Sequence, residues 1–384
     1  MKKYLVSGLG ISDGGVGRLM RNLIVQGQAE GFITVARRNP QAIRKMLKRR
    51  RFLDVTVELI LRIWDDIKFS WRVNSISDSI VVFVHPQTAG FSRLFNILKR
   101  NEVFLYVMDN SFFCIRSYNL HPALEEECLK CLAGPHNALP ECQPFPVKMS
   151  KERNLDYLDA LASVAHNLTF LAQNDSQAEL IRARFGSTTK IKIVGLDTGE
   201  VVRDDPLEKA PLTDVATKYD IVFHGAPQLA KGLRYFIELA EALQEFSAFI
   251  PSSRDVCERA INRPVVAKNI TFCDCSWETG LKSAIVNCRL VINPSLWSAP
   301  IEGALQKSIF FAKKVATVES QFGYEKEFAV TENFIRLPRN IAEASTVIRK
   351  FMSLPLISSH QEGLEQKQQP RFINIFKMVS ESEN

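Results

Sequence analysis

The chain has 384 residues and a mass of 43.5 kDa, too long for one ordinary hydrophobic core and about right for two α/β domains of roughly 150 to 200 residues each. Hydrophobic residues make up 46% of it, charged residues 24%, and the mean hydropathy is −0.05, which excludes both wholesale disorder and a polytopic membrane protein. No run approaches the roughly 18 to 20 apolar residues of a spanning helix. The first apolar stretch is broken by Gly8, Gly10 and Asp13, so it does not predict a signal peptide, and we expect a cytoplasmic protein.

The net charge of +7 is local. Residues 37–51 contain eight Lys or Arg and no acid, which accounts for the whole excess, and an amphipathic pattern with Trp64 and Trp71 follows. Two interpretations stay open: this segment rests on anionic lipid on the inner face of the membrane, or it is the solvated face of an ordinary helix. Nucleic acid is disfavoured, because no recognisable reading module accompanies the patch. The candidate anionic contacts are Arg49, Arg50 and Arg51.

Short apolar runs alternate with longer helical patterns, which indicates parallel sheets and a doubly wound α/β architecture. The pattern restarts at Tyr219 after a connecting stretch, so we predict an N-terminal Rossmann-like domain over 1–200, a second over 201–355, and a tail with a closing helix over 356–384 that packs back toward the first domain. The predicted strands are Lys3–Ser7, Ser79–Val84, Glu102–Met108, Asn167–Ala172, Lys190–Val194, Asp220–Phe223, Ser247–Ile250, Ile270–Cys273, Leu290–Ile292 and Val315–Val318.

The loop after the first strand is rich in glycine. Gly14 and Gly15 let the backbone approach a ligand, and the helix that follows offers free amides suited to phosphate. A nicotinamide dinucleotide is disfavoured, because Asp13 takes the place of the third glycine of Gly-x-Gly-x-x-Gly and no acid follows a clear second strand. A turn with only a packing role is the plain alternative.

Two polar residues follow predicted strands of the first domain. His85 comes after SIVVFV and Asp109 after EVFLYVM. Ligands of open α/β sheets bind at the carboxyl ends of strands, so these side chains are candidates to orient or deprotonate a substrate hydroxyl. A capping or turn role is the alternative for each.

The stretch 110–145 is a predicted cysteine-rich insertion. It contains one Cys-x-x-Cys and two further cysteines nearby. Four thiolates could form a structural zinc site, or the residues are reduced thiols; no catalytic metal is expected. The candidate zinc ligands are Cys114, Cys128, Cys131 and Cys142.

Two loops of the second half resemble parts of one binding site. The strand ending at Phe223 is followed by Gly225 and then by Lys231, which opens a helix and places an ammonium beside helix amides, an arrangement suited to a diphosphate. A later strand is followed by Ser295 and by Glu302 near the start of another helix, where a carboxylate can accept hydrogen bonds from a ribose diol. Capping of its own helix is the alternative for Glu302.

In their order, these segments resemble the retaining, family 4 type glycosyltransferases of the GT-B fold. The likeness rests on the Gly-Gly loop, on SQAELIRARFG followed by IKIVGLDTGEV, on the strand-Gly-loop-Lys-Gly unit and on the Pro-Ser-loop-Glu-helix unit. It implies two Rossmann-like domains facing across a cleft, with an acceptor in the first and a UDP- or GDP-sugar in the second. The donor-binding residues implied are Gly14, Gly15, Gly225, Lys231, Ser295 and Glu302.

The resemblance also implies a function, namely metal-independent transfer of a sugar from a nucleotide diphosphate to a glycan or lipid-linked acceptor. The basic patch and the absence of an export signal favour a role in bacterial surface polysaccharide synthesis. The only required small molecule would be the nucleotide sugar, which is a substrate. Ala226 follows Gly225 where the family usually has an arginine. The alternative is therefore a protein that keeps the GT-B shape for binding or scaffolding and has lost turnover.

Overall fold

The structure is a computed structural model that describes residues 1–11, 15–38, 43, 46, 50–145, 147, 149–195, 219–354 and 373–381. The chain divides into two compact units. The first unit comprises Met1–Ser117, Lys130–Gly199 and Pro370–Asn384, and the second comprises Tyr118–Leu129 and Glu200–Gln369.

The first unit is built on a sheet of six parallel strands in the order β2-β1-β3-β4-β5-β6. The strands are β1 (Lys2–Ser7), β2 (Ile33–Ala36), β3 (Ser79–Val84), β4 (Glu102–Tyr106), β5 (Leu168–Ala172) and β6 (Lys190–Ile193). The helices are α1 (Gly15–Ala29), α2 (Phe52–Asn74), α3 (Pro86–Ala89), α4 (Phe91–Leu98), α5 (Lys151–Val164) and α6 (Asp175–Phe185), with 3₁₀ turns at Lys130–Leu132, Pro135–Asn137 and Ala165–Asn167.

Local sequence explains the central strand and the helix starts of this unit. Strand β3 reads SIVVFV and is buried along its whole length, as expected for a β-branched run between two parallel neighbours. Helix α5 begins after Ser150, whose hydroxyl accepts a hydrogen bond from the Arg153 amide, and α6 begins after Asn174, whose side chain accepts one from the Gln177 amide. Both are the side chains that best satisfy free amides at a helix start.

The second unit repeats the architecture with the strand order β12-β11-β10-β7-β8-β9, again all parallel. The strands are β7 (Ile221–Phe223), β8 (Ala248–Ile250), β9 (Ile270–Phe272), β10 (Leu290–Asn293), β11 (Val315–Val318) and β12 (Phe334–Leu337). The helices are α7 (Leu233–Ala242), α8 (Arg254–Ile261), α9 (Lys282–Asn287), α10 (Gly303–Phe311) and α11 (Ile341–Ser353), with helical turns at Leu229–Lys231, Trp277–Leu281 and Tyr324–Glu327.

Neither unit is a contiguous stretch of chain. Helix α12 (Ile375–Glu381) belongs to the first unit, where Phe376 is fully buried with its ring edge-on to Phe32 at 4.8 Å between centroids. Conversely, Tyr118–Leu129 belongs to the second unit, although the sequence analysis assigns all of 110–145 to the N-terminal domain. Among the helices that the structure describes, none combines the length and the apolarity needed to cross a membrane.

Candidate active site

The strand order of the second unit locates a site. Successive strands run outward from β7 to β9 on one side and from β10 to β12 on the other, so the order reverses between neighbours β7 and β10. Open α/β sheets bind ligands in the crevice outside such a switch point. The loops that leave it are 224–232 and 294–302, which contain four of the predicted donor-binding residues.

Three of those residues meet directly. The Lys231 ammonium forms an ion pair with Glu302 Oε1, and the Ser295 hydroxyl donates to the same oxygen at 2.7 Å. The Lys231 side chain is 22% exposed and that of Glu302 8%. The structure thus brings a cation, a carboxylate and a hydroxyl together beside the start of α7, where the helix dipole favours an anion.

Trp297 completes this cluster and was not foreseen from the sequence. Its ring centroid lies 5.0 Å from Lys231 Nζ, a cation–π distance, and its side chain is buried. Within the described part of the chain, Trp297 Nε1 and the neighbouring Asn293 Oδ1 are buried without a hydrogen-bond partner. An unpaired buried polar atom costs about 1 to 3 kcal/mol, so these atoms, one on Trp297 and one on Asn293 at the end of β10, favour a site that receives polar groups from a ligand.

Glycine shapes the floor of the cluster. Gly232 has φ +72°, and a Cβ there would lie 1.9 Å from the Pro294 carbonyl oxygen. The loops after β7 and β10 therefore touch backbone to backbone, which only glycine permits at this position. Gly225 is packed less tightly: its Cβ would meet the Phe223 ring at 3.0 Å and Lys231 Cβ at 3.5 Å.

A buried histidine lies beside the same strand end. The Nδ1 atom of His224 is 2.8 Å from Ser308 Oγ, whose proton goes to the Ala304 carbonyl oxygen at 2.9 Å. Burial, reinforced by the charge of Lys307, lowers the pKa of His224 to about 3. The ring is therefore neutral at neutral pH, with its proton on Nδ1 and Nε2 left as a hydrogen-bond acceptor.

A second contribution missed by the sequence analysis comes from Tyr118–Leu129. The Glu127 carboxylate accepts hydrogen bonds from the Ser298 hydroxyl and from the backbone amides of Gln321 and Phe322, the last two at 2.6 and 3.2 Å. Asn119 Oδ1 accepts from the Ser298 amide at 3.0 Å. These contacts join the loops after β10 and β11 to a segment more than 170 residues earlier in the sequence. No local sequence pattern reveals a contact at that separation.

The first unit has its own switch point, between β1 and β3, where the order of strands again reverses. A Cβ at Gly8 would lie 2.1 Å from the Ala89 amide nitrogen and 2.3 Å from Thr88 Oγ1, so the glycine loop after β1 packs tightly against α3. Gly15 begins α1, whereas Gly14 lies outside the described residues. Neither position is seen here against a diphosphate, and both roles stay predictions.

His85 and Asp109 lie together at the ends of β3 and β4. His85 has the left-handed backbone conformation φ 55°, ψ 71°, which is uncommon and strained for a residue other than glycine. Its Nε2 is 3.2 Å from Asp109 Oδ2, and its Nδ1 is 2.7 Å from Thr88 Oγ1. The three side chains form a chain of hydrogen bonds in which the histidine is held by both ring nitrogens.

Electrostatics keep Asp109 ionised. Burial raises its pKa, but the adjacent His85 and hydrogen bonds from His85 and Ser111 outweigh burial and leave the pKa below its usual value. The Ser111 amide donates to Oδ1 at 2.9 Å, and His85, Tyr106, Asp109 and Ser111 line one pocket. A carboxylate in this setting can accept a hydrogen bond from a substrate hydroxyl.

The four predicted zinc ligands do not lie together as one ligand set. Among the described residues no group of three or more His, Cys, Asp or Glu side chains is arranged to hold a metal ion. Cys128 belongs to the second unit, whereas the other three belong to the first. Cys114, Cys131 and Cys142 are buried in the first unit, and the zinc role of the cluster stays a prediction.

The basic segment is described in part. Arg49 lies outside the described residues, Arg50 is exposed with φ 55°, and Arg51 forms an ion pair with Asp54 in the first turn of α2. Farther upstream, Arg37 pairs with Asp66. Part of the basic charge is therefore balanced by acids of α2.

Comparison with solved structures shows the fold. The chain matches Anabaena Alr3699/HepE in complex with UDP and glucose at a TM-score of 0.58 and 13% identity, over 100% of both chains. It matches sucrose-phosphate synthase from Thermosynechococcus elongatus at 0.59 and 10%, over 100% of this chain and 98% of that one. A chain of the GtfA/B complex matches at a TM-score of 0.50 and 12% identity. The match covers 82% of this chain, and this chain spans 60% of the length of the GtfA/B chain.

No protein-family model and no curated protein matches the sequence. Identities this low establish architecture alone, because one fold hosts many functions. Together with two parallel six-stranded sheets and their helices, the likenesses confirm the predicted GT-B class, an α/β fold of two Rossmann-like domains.

Proposed function

We propose that the protein is a glycosyltransferase that binds a nucleotide-diphosphate sugar at the switch point of the second unit and transfers the sugar to an acceptor hydroxyl. The observation that carries this proposal is the Lys231–Glu302 ion pair beside the start of α7. A structure of the same fold in complex with UDP and glucose supports the choice of ligand class.

Donor binding exchanges one partner of Lys231 for another. Glu302 neutralises the Lys231 ammonium in the structure. An incoming diphosphate has a larger negative charge and competes with Glu302 for the ammonium, and the start of α7 also favours the diphosphate. Glu302, released from the ammonium, then accepts hydrogen bonds from the ribose hydroxyls. Trp297 Nε1 and Asn293 Oδ1 are further polar groups for the nucleotide or the sugar.

The proposed reaction is front-face displacement with retention at the sugar. The bond from the anomeric carbon to the diphosphate oxygen breaks, a bond to the acceptor oxygen forms, and the acceptor proton goes to the departing diphosphate. Lys231 stabilises the negative charge that develops on the leaving group, and no divalent metal is needed in this scheme. Asp109, held by His85, orients the acceptor hydroxyl. A glycan or lipid-linked acceptor of surface polysaccharide synthesis fits this scheme.

Replacement of Lys231 by Ala tests the donor site. We expect the affinity for UDP or GDP, measured by calorimetry, to fall about 10- to 100-fold, since a hydrogen bond to a charged group contributes roughly 1.5 to 3 kcal/mol. The affinity for the bare nucleoside should change little. Lys268→Ala, an exposed lysine of the same unit, is the matched control and should leave both affinities unchanged. Equal losses for nucleotide and nucleoside in Lys231→Ala would refute the phosphate role.

The second candidate is a binding protein of the same fold without turnover, which Ala226 favours because it supplies no second cation next to Gly225. Both candidates bind nucleotide, so binding alone does not separate them. Release of UDP or GDP from nucleotide sugars, with or without added glycan acceptors, does: turnover that Lys231→Ala abolishes supports the transferase, and tight binding without any release supports the binding protein.

A further inference from the structure

Helix α2 presents a long apolar face to solvent. At alternating spacings of four and three residues, six apolar side chains of one face are each 50% to 84% exposed: Leu53, Val57, Ile60, Trp64, Ile67 and Trp71. Phe52, Leu61 and Ile63 widen the face and are also exposed. Exposed apolar residues are ordinary when scattered, but a continuous face of this kind marks an interaction surface. We call these nine residues the α2 face.

The acids of the helix lie outside the α2 face and are paired with arginines. Glu58 is buried, and its carboxylate accepts hydrogen bonds from Arg38 and, at 3.0 Å, from Arg62. Asp66 accepts one from Arg93 at 2.9 Å. Charged groups are thus paired against the first unit while apolar side chains point outward, the reverse of the usual arrangement for a helix on a water-facing surface.

The charge next to the α2 face is basic. Arg50 is exposed just before the helix, and Lys68 is exposed on the flank of the face. In the sequence, residues 44–51 carry six Lys or Arg and no acid. Apolar side chains flanked by cations are complementary to a bilayer with anionic headgroups, in which the side chains enter the acyl boundary and the cations remain among the phosphates.

We propose that α2 docks the protein on an anionic lipid bilayer, lying in the plane of the interface. From Leu53 to Trp71 the face is about 27 Å long at about 1.5 Å per residue. The helix lies on the bilayer and does not cross it, since its sequence is too rich in charge to span. Trp64 and Trp71 suit the headgroup level, where an amphipathic indole is favoured. The inference goes beyond the proposed function and does not depend on it.

A second copy of the chain is a poorer occupant. The four-three spacing is also that of a coiled-coil seam, but a seam is narrow, whereas Leu61 and Ile63 extend the α2 face beyond it. Two such helices in parallel would also bring their basic segments together, which is unfavourable.

The test compares binding to vesicles. Purified protein is sedimented with vesicles of phosphatidylcholine alone or with 30% phosphatidylglycerol, at low and high salt. We expect binding to the anionic vesicles only, weakened by salt. The double variant Trp64→Gln/Trp71→Gln should bind at least about tenfold more weakly. Its side chains are 66% and 72% exposed, so folding should be unaffected, and circular dichroism checks this.

The matched control is Val25→Gln/Val330→Gln, which changes two apolar residues that are 61% and 58% exposed outside the α2 face. It should bind vesicles like the wild type. No binding of the wild type to anionic vesicles, or undiminished binding of the tryptophan double variant, would overturn the proposal. So would a wild-type dimer in light scattering that the tryptophan variant abolishes without any vesicle binding, because the face would then be a self-association surface.

Discussion

At the residue scale, Glu302 has two roles that oppose each other in nucleotide binding. Its carboxylate neutralises Lys231, and so competes with a diphosphate, yet it is also the group proposed to hold the ribose. Nucleoside binding therefore measures the proposed ribose contact of Glu302, and pyrophosphate binding measures its competition for Lys231.

We predict that Glu302→Gln weakens uridine or guanosine binding about tenfold, because a neutral amide is a poorer acceptor for a diol than a carboxylate. Inorganic pyrophosphate should bind as well as before or more tightly, since Lys231 has lost its competitor. Calorimetry with each ligand measures both. Glu319→Gln, an exposed acid paired with Lys326, is the control. Unchanged nucleoside affinity would move the ribose site away from Glu302.

Asp109 is the residue through which the first unit is proposed to act on the acceptor. We predict that Asp109→Asn lowers the transfer rate at least about tenfold and leaves the affinity for UDP or GDP unchanged. The pKa of Asp109 is below its usual value, so the carboxylate stays charged from pH 5.5 to 8, and the loss should be the same at both ends of that range.

Asp156→Asn, which alters an exposed acid of α5, should have no effect on the transfer rate. An equal loss of nucleotide affinity in Asp109→Asn would show a general structural defect. A full rate in that variant would remove Asp109 from the mechanism.

At the element scale, most strands could be predicted from their apolar residues. All ten predicted strands exist, with ends within two residues of the predicted ones. The two that were not predicted, β2 (ITVA) and β12 (FIRL), are four-residue edge strands, in which partly exposed or charged residues interrupt the apolar signal. Edge position alone does not explain the two misses, because the edge strands β6 (KIKI) and β9 (ITF) were predicted.

Helix α2 shows a further limit. Its amphipathic pattern was visible in the sequence, but a pattern does not say which face turns inward. Long-range ion pairs such as Arg38–Glu58 favour burial of the charged face of α2.

The backbone contact between the loops after β7 and β10 gives a prediction for the element. Gly232→Ala should destabilise the second unit and abolish nucleotide binding, because a left-handed alanine costs about 1 to 2 kcal/mol and its Cβ would clash with the Pro294 carbonyl. Urea unfolding and calorimetry measure the two effects.

Gly31 supplies a matched control for this change. It has φ +77°, nearly that of Gly232, but no atom lies within 4 Å of its Cβ position. Gly31→Ala therefore reports the cost of the backbone conformation alone, and the excess loss in Gly232→Ala is the cost of the clash. Equal losses in the two variants would mean that the loops separate without penalty.

At the scale of the whole molecule, the restart of the strand pattern at Tyr219 predicted two Rossmann-like domains, and the fold confirms them. The side chains of Lys231, Ser295 and Glu302 meet in the structure, and their role in donor binding stays a prediction. They were chosen by the rule that ligands bind at the carboxyl ends of strands. It could not predict Glu127 or Trp297. Their roles depend on Tyr118–Leu129 joining the second unit and on side-chain packing, neither of which leaves a periodic trace.

This exchange of segments has a consequence for how the protein is made. Phe376, which packs against Phe32 in the core of the first unit, follows the whole of the second unit in the chain and therefore leaves the ribosome after it. The first unit therefore cannot complete its core until the second unit has been synthesised. The second unit in turn requires Tyr118–Leu129, which lies earlier in the chain. Expressing either half as one continuous fragment would omit a piece of its interior.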